Sequence, residues 1–330
     1  EGSNVSLSIF RNNSKKINEF TLKREEIILH PVEFSTILDK NIGYIKLTRF
    51  SENTYSEVRN AVNSLIKQGA NKFLLDLRNN PGGYLEQAVK VTDLFLPPNK
   101  LIVSVKARKA SFNQDFYSKD VDKSDNLPII VLVDNGSASA SEIVAGAIQD
   151  WDRGWILGKN TFGKGLVQQS FLLNDNSELR LTLAKYFTPS GRLIQRKYDK
   201  LEDYYSLSEI NKIDTNKRVK YTKNGRKVYD EGGIHPDFLI SDKNYSDVFL
   251  VLLKNNIFTT FINDNAELNK IDKDKYTLTN FNKEFIFTEN YLKSFIIYAL
   301  SKVKNIKAEQ ILADKEAIVN RIKIELANKL

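Results

Sequence analysis

Alternating apolar and polar residues at the start of the chain predict a β-hairpin. Val5, Leu7 and Ile9 place apolar side chains on one face of a strand, and a second alternating segment follows the polar residues 11–16. These polar residues predict the connecting turn. Because two strands alone bury too little apolar surface to be stable, we expect residues 1–30 to be the end of a small β domain.

The pattern changes to an α/β rhythm after residue 41. Short apolar runs typical of buried strands alternate with segments whose apolar residues recur every three or four positions, as in amphipathic helices. The predicted strands cover residues 42–47, 72–77, 101–106, 128–133 and 179–186. The predicted helices cover residues 56–68, 85–96 and 141–150. This alternation predicts an α/β fold with a mainly parallel sheet and flanking helices on both faces.

The remaining segments predict a long excursion and a helical end. Residues 197–230 are polar and weakly periodic, and we interpret them as an excursion from the core. From residue 245 onward the apolar spacing is helical, with helices predicted over residues 247–261, 284–304 and 308–330. The predicted domains are therefore residues 1–30, a core over residues 31–244 and a helical region over residues 245–330.

One helical segment of this last region is rich in aromatic side chains. These residues are Phe285, Phe287, Tyr291, Phe295 and Tyr298. Exposed apolar side chains grouped in this way favour protein contacts. The C-terminal helices could mediate a homodimer or simply cap the core, and of these two interpretations we favour the homodimer.

Composition narrows the chemistry that the chain can perform. The sequence has 330 residues, 41% of them hydrophobic and 27% charged, which is typical of globular proteins. It has no cysteine, which excludes disulfides, a thiolate nucleophile and a zinc site built on cysteine. His30 and His235 are too few for a metal site with several histidines. A hydrolytic mechanism must therefore use Ser, Lys, Asp or Glu, and we expect neither a metal nor an organic cofactor.

The positive charge does not indicate a nucleic-acid partner. The formal net charge is +8, but basic and acidic residues are interspersed along the chain. No nucleic-acid recognition motif is present. We interpret the charge as a solvated surface rich in lysine, and expect no nucleic acid as a partner.

A serine-rich turn lies between a predicted buried strand and a predicted helix. It contains Ser137, Ser139 and Ser141, followed by Glu142. A serine at a helix entrance lies near backbone N–H groups that carry positive partial charge, which would stabilise an oxyanion. The segment from Ser139 to Glu142 is also a capping-box pattern, so a plain helix cap is the alternative.

Two glycine-containing loops carry further candidate chemistry. Lys164 lies between two glycines, and a lysine packed there would lose hydration, which lowers its pKa. With no cysteine and no histidine near a serine-rich turn, serine plus lysine is the most economical nucleophile and base. Gly82 and Gly83 could present N–H groups to a developing negative charge. The alternatives are a surface lysine in a flexible turn and, for the glycine pair, a plain tight turn; the pair matches no phosphate-binding glycine spacing.

Five motifs follow one another in a fixed order. They are DLRNNPGG at 76–83, GSASASEI at 136–143, TFGKGLVQ at 161–168, AKYFTPSGR at 184–192 and GGIHPD at 232–237. Together they resemble the carboxyl-terminal processing (tail-specific) protease family, the S41 serine peptidases. The resemblance implies a crotonase-like protease core, and residues 1–30 are similar to the last strands of the PDZ domain that precedes it in this family.

The resemblance also implies roles for individual residues. Ser139 matches the family's nucleophile and Lys164 its general base, and Gln168 matches the residue that orients the lysine. The implied oxyanion donors are the backbone N–H of Ala140 and of one glycine, Gly82 or Gly83.

The implied activity is that of a serine endopeptidase that cleaves unstructured polypeptide tails through an acyl-enzyme. The PDZ part would capture a C-terminal carboxylate, and an adaptor protein is a further expected partner. Bacterial members of the family work in the periplasm or cell envelope, so we expect that location. The alternative is a catalytically silent scaffold or peptide-binding module with the same fold, which would be expected to lack Ser139 or Lys164.

Overall fold

The computed structural model divides the chain into two compact units, Glu1–Ser241 and Asp242–Leu330. It describes residues 2–10, 16–27, 29–39, 41–119, 124, 126–197, 218–240, 245–270, 275–276, 280–281 and 284–330. The predicted hairpin turn and most of the predicted polar excursion lie outside the described residues.

The first unit contains fourteen strands and three α-helices among the described residues. The strands are β1 (Asn4–Phe10), β2 (Ile17–Lys23), β3 (Val32–Leu38), β4 (Ile42–Leu47), β5 (Lys72–Asp76), β6 (Leu101–Ala107), β7 (Gln114–Tyr117), β8 (Ile129–Val133), β9 (Trp155–Gly158), β10 (Leu166–Leu172), β11 (Glu178–Phe187), β12 (Val219–Tyr221), β13 (Lys227–Tyr229) and β14 (Phe238–Leu239). The helices are α1 (Thr54–Lys67), α2 (Leu85–Asp93) and α3 (Ala140–Asp150).

A six-stranded sheet in the order β14-β9-β8-β5-β4-β3 forms the centre of this unit. Only β3 pairs antiparallel to its neighbour, so the predicted mainly parallel sheet is confirmed. Helix α1 packs on β3 and β4, whereas α3 packs on β9 and on β6 of a second sheet. All residues of α3 are buried, and its few polar side chains therefore require partners inside the protein.

Strand β6 does not join the parallel sheet that the strand and helix alternation predicted. It lies in a four-stranded sheet with the order β10-β11-β6-β7, in which all neighbours are antiparallel. Its two neighbours are β7 and β11, and in the pairing with β11 Lys106 lies opposite Lys185 and Ser104 opposite Phe187. The expectation was wrong because alternation along the chain orders the elements but does not assign a strand to a sheet.

The structure confirms the predicted hairpin at the start of the chain but shortens one predicted helix. Strands β1 and β2 pair antiparallel, with Leu7 opposite Phe20, so the predicted hairpin pairing is confirmed. Helix α2 ends at Asp93 rather than at Leu96: the chain turns after it, with the N–H of Phe95 donating to the carbonyl of Thr92, and Pro97 disfavours helical backbone at Leu96.

The second unit is helical in its described part. Its helices are α4 (Asp247–Lys254), α5 (Ile257–Asp264), α6 (Ala266–Asn269), α7 (Glu289–Lys302), α8 (Ala308–Ala313) and α9 (Lys315–Ala327). The single helix predicted over residues 247–261 is wrong, because Asn256 takes a left-handed backbone with φ of 54° and separates α4 from α5. The helix predicted over residues 308–330 is also divided, at Asp314, where the backbone is not left-handed but departs from helical values with φ of −98° and ψ of 17°.

Aromatic and aliphatic side chains together form the core of the second unit. Phe295 is fully buried, stacks on Phe258 at 5.2 Å between ring centroids and meets Phe261 edge-on at the same distance. Phe285 is buried as well. Two of the aromatic residues on which the homodimer expectation rested therefore contribute to this core.

None of the described helices is long and apolar enough to cross a membrane.

A buried ion pair fixes the C-terminal end of α3. Asp150 and Arg192 both have side chains with no solvent exposure, and their N–O distance is 2.5 Å. Ser190 donates its N–H and its hydroxyl to the same carboxylate at 2.9 and 2.7 Å. The segment after β11 is thus tied to the helix that carries the serine-rich turn at its other end.

We expect Arg192→Met to lower the free energy of unfolding by about 3 kcal/mol, because it leaves the Asp150 carboxylate buried without its cation. Urea unfolding followed by tryptophan fluorescence measures this change, since both tryptophans, Trp151 and Trp155, lie in the first unit. The control Lys106→Met removes a half-exposed pair of 3.5 Å and should cost less than about 1 kcal/mol. Equal effects of the two variants would contradict this role of the buried pair.

Candidate active site

Three loops that carry sequence motifs meet at one edge of the central sheet. Strands β9, β8 and β5 are adjacent and parallel, so their carboxyl ends lie at the same edge. The loop after β5 contains the glycine pair, the loop after β8 contains the serines, and the loop after β9 contains Lys164. Parallel strands commonly place functional loops together in this way.

The structure distinguishes the three serines of the turn. Ser137 and Ser141 are fully buried, and their hydroxyls donate to the carbonyls of Leu77 at 2.8 Å and Asn80 at 2.9 Å. Ser139 is only half-buried and lines a cavity. Its φ of 54° is uncommon for a residue with a side chain, and such conformations concentrate at functional sites.

That cavity, of about 430 Å³, brings together most of the residues that the sequence singled out. They are Gly83, Ser139, Ala140, Lys164 and Gln168. Gly82 is not among the lining residues, but it lies directly behind the serine turn. A Cβ at this position would approach the carbonyl of Ala138 to 2.6 Å, so only glycine allows this contact between the two loops.

The backbone donors around the cavity are not equivalent. The N–H of Gly82 already donates to Asn80 Oδ1 at 2.9 Å. The N–H groups of Gly83 and Ala140 donate to no other group among the described residues. Ala140 is the first residue of α3, where helix geometry leaves N–H groups without an intrahelical partner. These two N–H groups are therefore available to a negatively charged oxygen.

The carboxylate of Glu142 joins the serine turn to the lysine loop. Its Oε2 accepts the N–H of Ser139 and of Lys164, both at 2.8 Å. Its Oε1 accepts the N–H of Gly163 at 2.7 Å and the hydroxyl of Thr161 at 2.5 Å. The bond to Ser139 is the glutamate half of the capping box seen in the sequence, but the bonds to the lysine loop carried no sequence signal.

Glu142 is fully buried, and this environment affects its acidity. Burial raises the pKa of the carboxyl group, whereas the hydrogen bonds from the serine turn and the lysine loop act to lower it. Because both oxygens are occupied, any change at this side chain removes hydrogen bonds on both loops.

Tyr186 of β11 forms a second connection between the same two loops. Its hydroxyl donates to the carbonyl of Ser139 at 3.0 Å and also contacts the carbonyl of Lys164. Gln168 follows a register shift in β10, and its Nε2 donates to the hydroxyl of Thr182 at 3.5 Å. Its role in orienting the lysine stays a prediction.

Asp76 anchors the glycine loop at the end of β5. Its carboxylate accepts bonds from Arg78 Nη2 at 2.6 Å, Tyr44 Oη at 2.7 Å and Lys46 Nζ at 3.3 Å. Burial acts to raise the pKa of Asp76, but the bonds from Arg78 and Tyr44 and the charge of Lys46 prevail and lower it. Burial and the neighbouring carboxylate raise the pKa of Tyr44 to about 12.

Comparison with known protein families identifies the family of this chain. The family model for Peptidase family S41 matches residues 41–205, which is half of the chain. The chain belongs to peptidase family S41. The resemblance predicted from the five motifs is thereby confirmed, and the serine, lysine and glycine loops all lie within the matched residues.

Curated S41 relatives carry the name of C-terminal processing proteases. The carboxyl-terminal-processing protease of Synechocystis sp. is 41% identical over 197 residues, covering 58% of this chain and 45% of the relative. The carboxy-terminal processing protease CtpA of Bacillus subtilis is 36% identical over 234 residues, covering 69% of this chain and 49% of the relative. The chain thus spans about half the length of these S41 relatives.

A solved structure with the same kind of name is also similar. The photosystem II D1 C-terminal processing protease shares 28% sequence identity with this chain at a TM-score of 0.47. The match covers 73% of this chain and 56% of that chain.

We expect Asp76→Asn to destabilise the protein by about 2 kcal/mol at pH 7, because the ionised carboxylate accepts hydrogen bonds from two cations, Arg78 and Lys46, and from the hydroxyl of Tyr44. The lowered pKa of Asp76 means that this contribution is present above the ordinary carboxyl pKa of about 4 and is lost as the pH falls through the lower pKa of the folded state. Urea unfolding of both proteins between pH 7 and pH 2.5 should show the difference shrinking. A difference that stays constant would contradict this.

We expect Glu142→Gln to loosen both loops, because an amide retains one acceptor oxygen and places an NH₂ group against backbone donors. Amide hydrogen exchange measured by mass spectrometry should accelerate at least about tenfold in peptides covering residues 136–143 and 161–168. Peptides covering β4 serve as the internal control. Acceleration in only one of the two loops would contradict the role of Glu142 as their shared partner.

Proposed function

We propose that this protein is a serine endopeptidase of the C-terminal processing type, with Ser139 as nucleophile and Lys164 as general base. The observation that carries the proposal is the shared cavity, in which Ser139 and Lys164 lie together with two backbone N–H groups that have no other described partner. Glu142 and Tyr186 hold the two loops against each other.

In this mechanism the amine of Lys164 removes the hydroxyl proton of Ser139 while the serine oxygen attacks the scissile carbonyl carbon. The tetrahedral intermediate collapses to an ester on Ser139, and Lys164 gives the proton to the departing amine. Water then attacks the acyl-enzyme with Lys164 acting again as base, the ester bond to Ser139 breaks, and Lys164 returns the proton to the serine oxygen as the carboxylic product leaves. All proton transfers use these two side chains, so the mechanism needs no metal or organic cofactor.

The oxyanion of the intermediate would accept the N–H groups of Ala140 and Gly83. Ala140 lies at the N-terminus of α3, where the helix dipole adds to the attraction. Of the two glycines that the resemblance implied, Gly83 is the better donor, because the N–H of Gly82 is bound to Asn80. Each such donor contributes about 3 kcal/mol to the transition state in comparable sites.

The substrate that suits this site is an extended, unfolded polypeptide. Strand β10 follows Lys164 directly and is an edge strand of its sheet, so its outer edge can pair with an added strand. Leu166 and Val167 of this strand line the cavity and would contact apolar substrate side chains. The names of the relatives support a C-terminal tail as this substrate.

Further parts of the proposal follow from the family alone. We place the protein in the periplasm or cell envelope, and regard residues 1–30 as the end of a PDZ domain that captures the substrate's terminal carboxylate. An adaptor protein and a homodimer remain proposals.

We expect Ser139→Ala and Lys164→Ala each to reduce kcat/KM for an unfolded polypeptide at least about 1,000-fold, because each removes one half of the proton-transfer pair. The control Lys185→Ala changes an exposed lysine of β11 and should retain full activity. Activity that survives in either dyad variant would contradict the mechanism. A parent protein that binds the polypeptide without cleaving it would instead favour a silent scaffold.

A further inference from the structure

A second cavity, of about 660 Å³, adjoins the one that contains Ser139. The two cavities share three lining residues, Tyr84, Leu85 and Val167. The second cavity lies between the first turn of α2 and the strands of the four-stranded sheet. A polypeptide that reaches the nucleophile can therefore continue into it.

The walls of this second cavity are largely apolar and partly open to solvent. Phe112 is 65% exposed and Leu183 is 40% exposed, although both have large apolar side chains. Phe116 lies beside them on β7, with Val105 at the bottom, where it is nearly buried. Covering such side chains with an aliphatic chain would release water from apolar surface.

Two carboxylates, Glu52 and Glu86, are the charged groups that line the cavity. Both are exposed, and neither forms a hydrogen bond or ion pair with another described residue. Glu86 lies in the first turn of α2, where the helix dipole stabilises a negative charge. No lysine, arginine or histidine is among the residues lining this cavity.

The negative charge at this cavity is opposite in sign to the net charge of the chain. The chain has a formal net charge of +8, and the neighbouring cavity is lined by the cation of Arg180, besides the proposed base Lys164. A substrate that spans both cavities therefore meets a cation in the first and anions in the second. Such a change of sign selects the charge of the substrate residue that enters each part.

From this combination we propose that the second cavity is a subsite for a lysine or arginine side chain of the substrate. The proposal rests on the peptidase activity inferred above and adds to it the residue class selected at one position. The aliphatic stem of the substrate side chain lies on Phe112, Phe116 and Leu183, and its cationic group faces Glu52 and Glu86. An acidic side chain at the same position is repelled by both carboxylates.

The test compares peptides of one sequence that carry lysine, norleucine or glutamate at a single position, moved stepwise along the residues flanking the scissile bond. Norleucine has the unbranched stem of lysine without its charge. We expect one position at which kcat/KM for lysine exceeds that for norleucine about three- to tenfold, with glutamate lower than both. The lysine preference should decrease when the salt concentration rises.

Variants then assign that preference to the cavity. In the double variant Glu52→Gln/Glu86→Gln we expect the lysine to norleucine ratio to fall to about one, while cleavage of the norleucine peptide is retained. The matched control Glu33→Gln changes an exposed carboxylate on β3, outside both cavities, and should leave the ratio unchanged.

Two results would overturn the proposal: no position that favours lysine, or a lysine preference that the double variant keeps. Either result, obtained with a parent protein that cleaves and a Ser139→Ala variant that does not, rejects the subsite alone. Loss of the peptidase function itself would be recognised separately, by cleavage that persists in Ser139→Ala.

Discussion

The candidate site depends on one buried carboxylate, that of Glu142. Its two oxygens accept four hydrogen bonds, three from the loop that contains Lys164, donated by Thr161, Gly163 and Lys164 itself, and one from Ser139. Because the proposed nucleophile and the proposed base lie on separate loops, their relative position is set by a group that both loops bind. A buried carboxylate without these donors would cost several kcal/mol, so the folded state strongly favours the arrangement in which both loops are docked. The positive φ of Ser139 is maintained within this same set of bonds.

Two other carboxylates fix the surroundings of this arrangement. Asp76 holds the start of the glycine loop through Arg78, and Asp150 ties the far end of α3 to Arg192. Helix α3 is thus fixed at its N-terminal end by Glu142 and at its C-terminal end by Asp150, and it is buried along its whole length. A rigid helix suits a site whose proposed oxyanion donor is the first N–H of that helix.

The sequence predicted the local elements well and the long-range bonds poorly. Strand β4 begins and ends at the residues predicted for it, 42 and 47, because apolar alternation is a local property. The sheet to which β6 belongs depends on its pairing with β11, about eighty residues away, and no local pattern contains it. The same reason explains why family resemblance was needed to choose Ser139 among three serines: the hydroxyls of Ser137 and Ser141 are bound by a loop some sixty residues earlier. The preference for Gly83 over Gly82 depends instead on a local bond of the folded loop, in which the N–H of Gly82 donates to Asn80 Oδ1 two residues earlier.

The most direct measurement of the central claim is a crystal structure of the protein after reaction with a peptidyl phosphonate, which imitates the tetrahedral intermediate. We expect phosphorus bonded to Ser139 Oγ and one phosphonyl oxygen within about 2.7–3.1 Å of the N–H groups of Ala140 and Gly83. Lys164 Nζ should lie within about 3.2 Å of Ser139 Oγ. An adduct on another residue, or a phosphonyl oxygen directed away from both N–H groups, would contradict the assignment of this cavity as the active site.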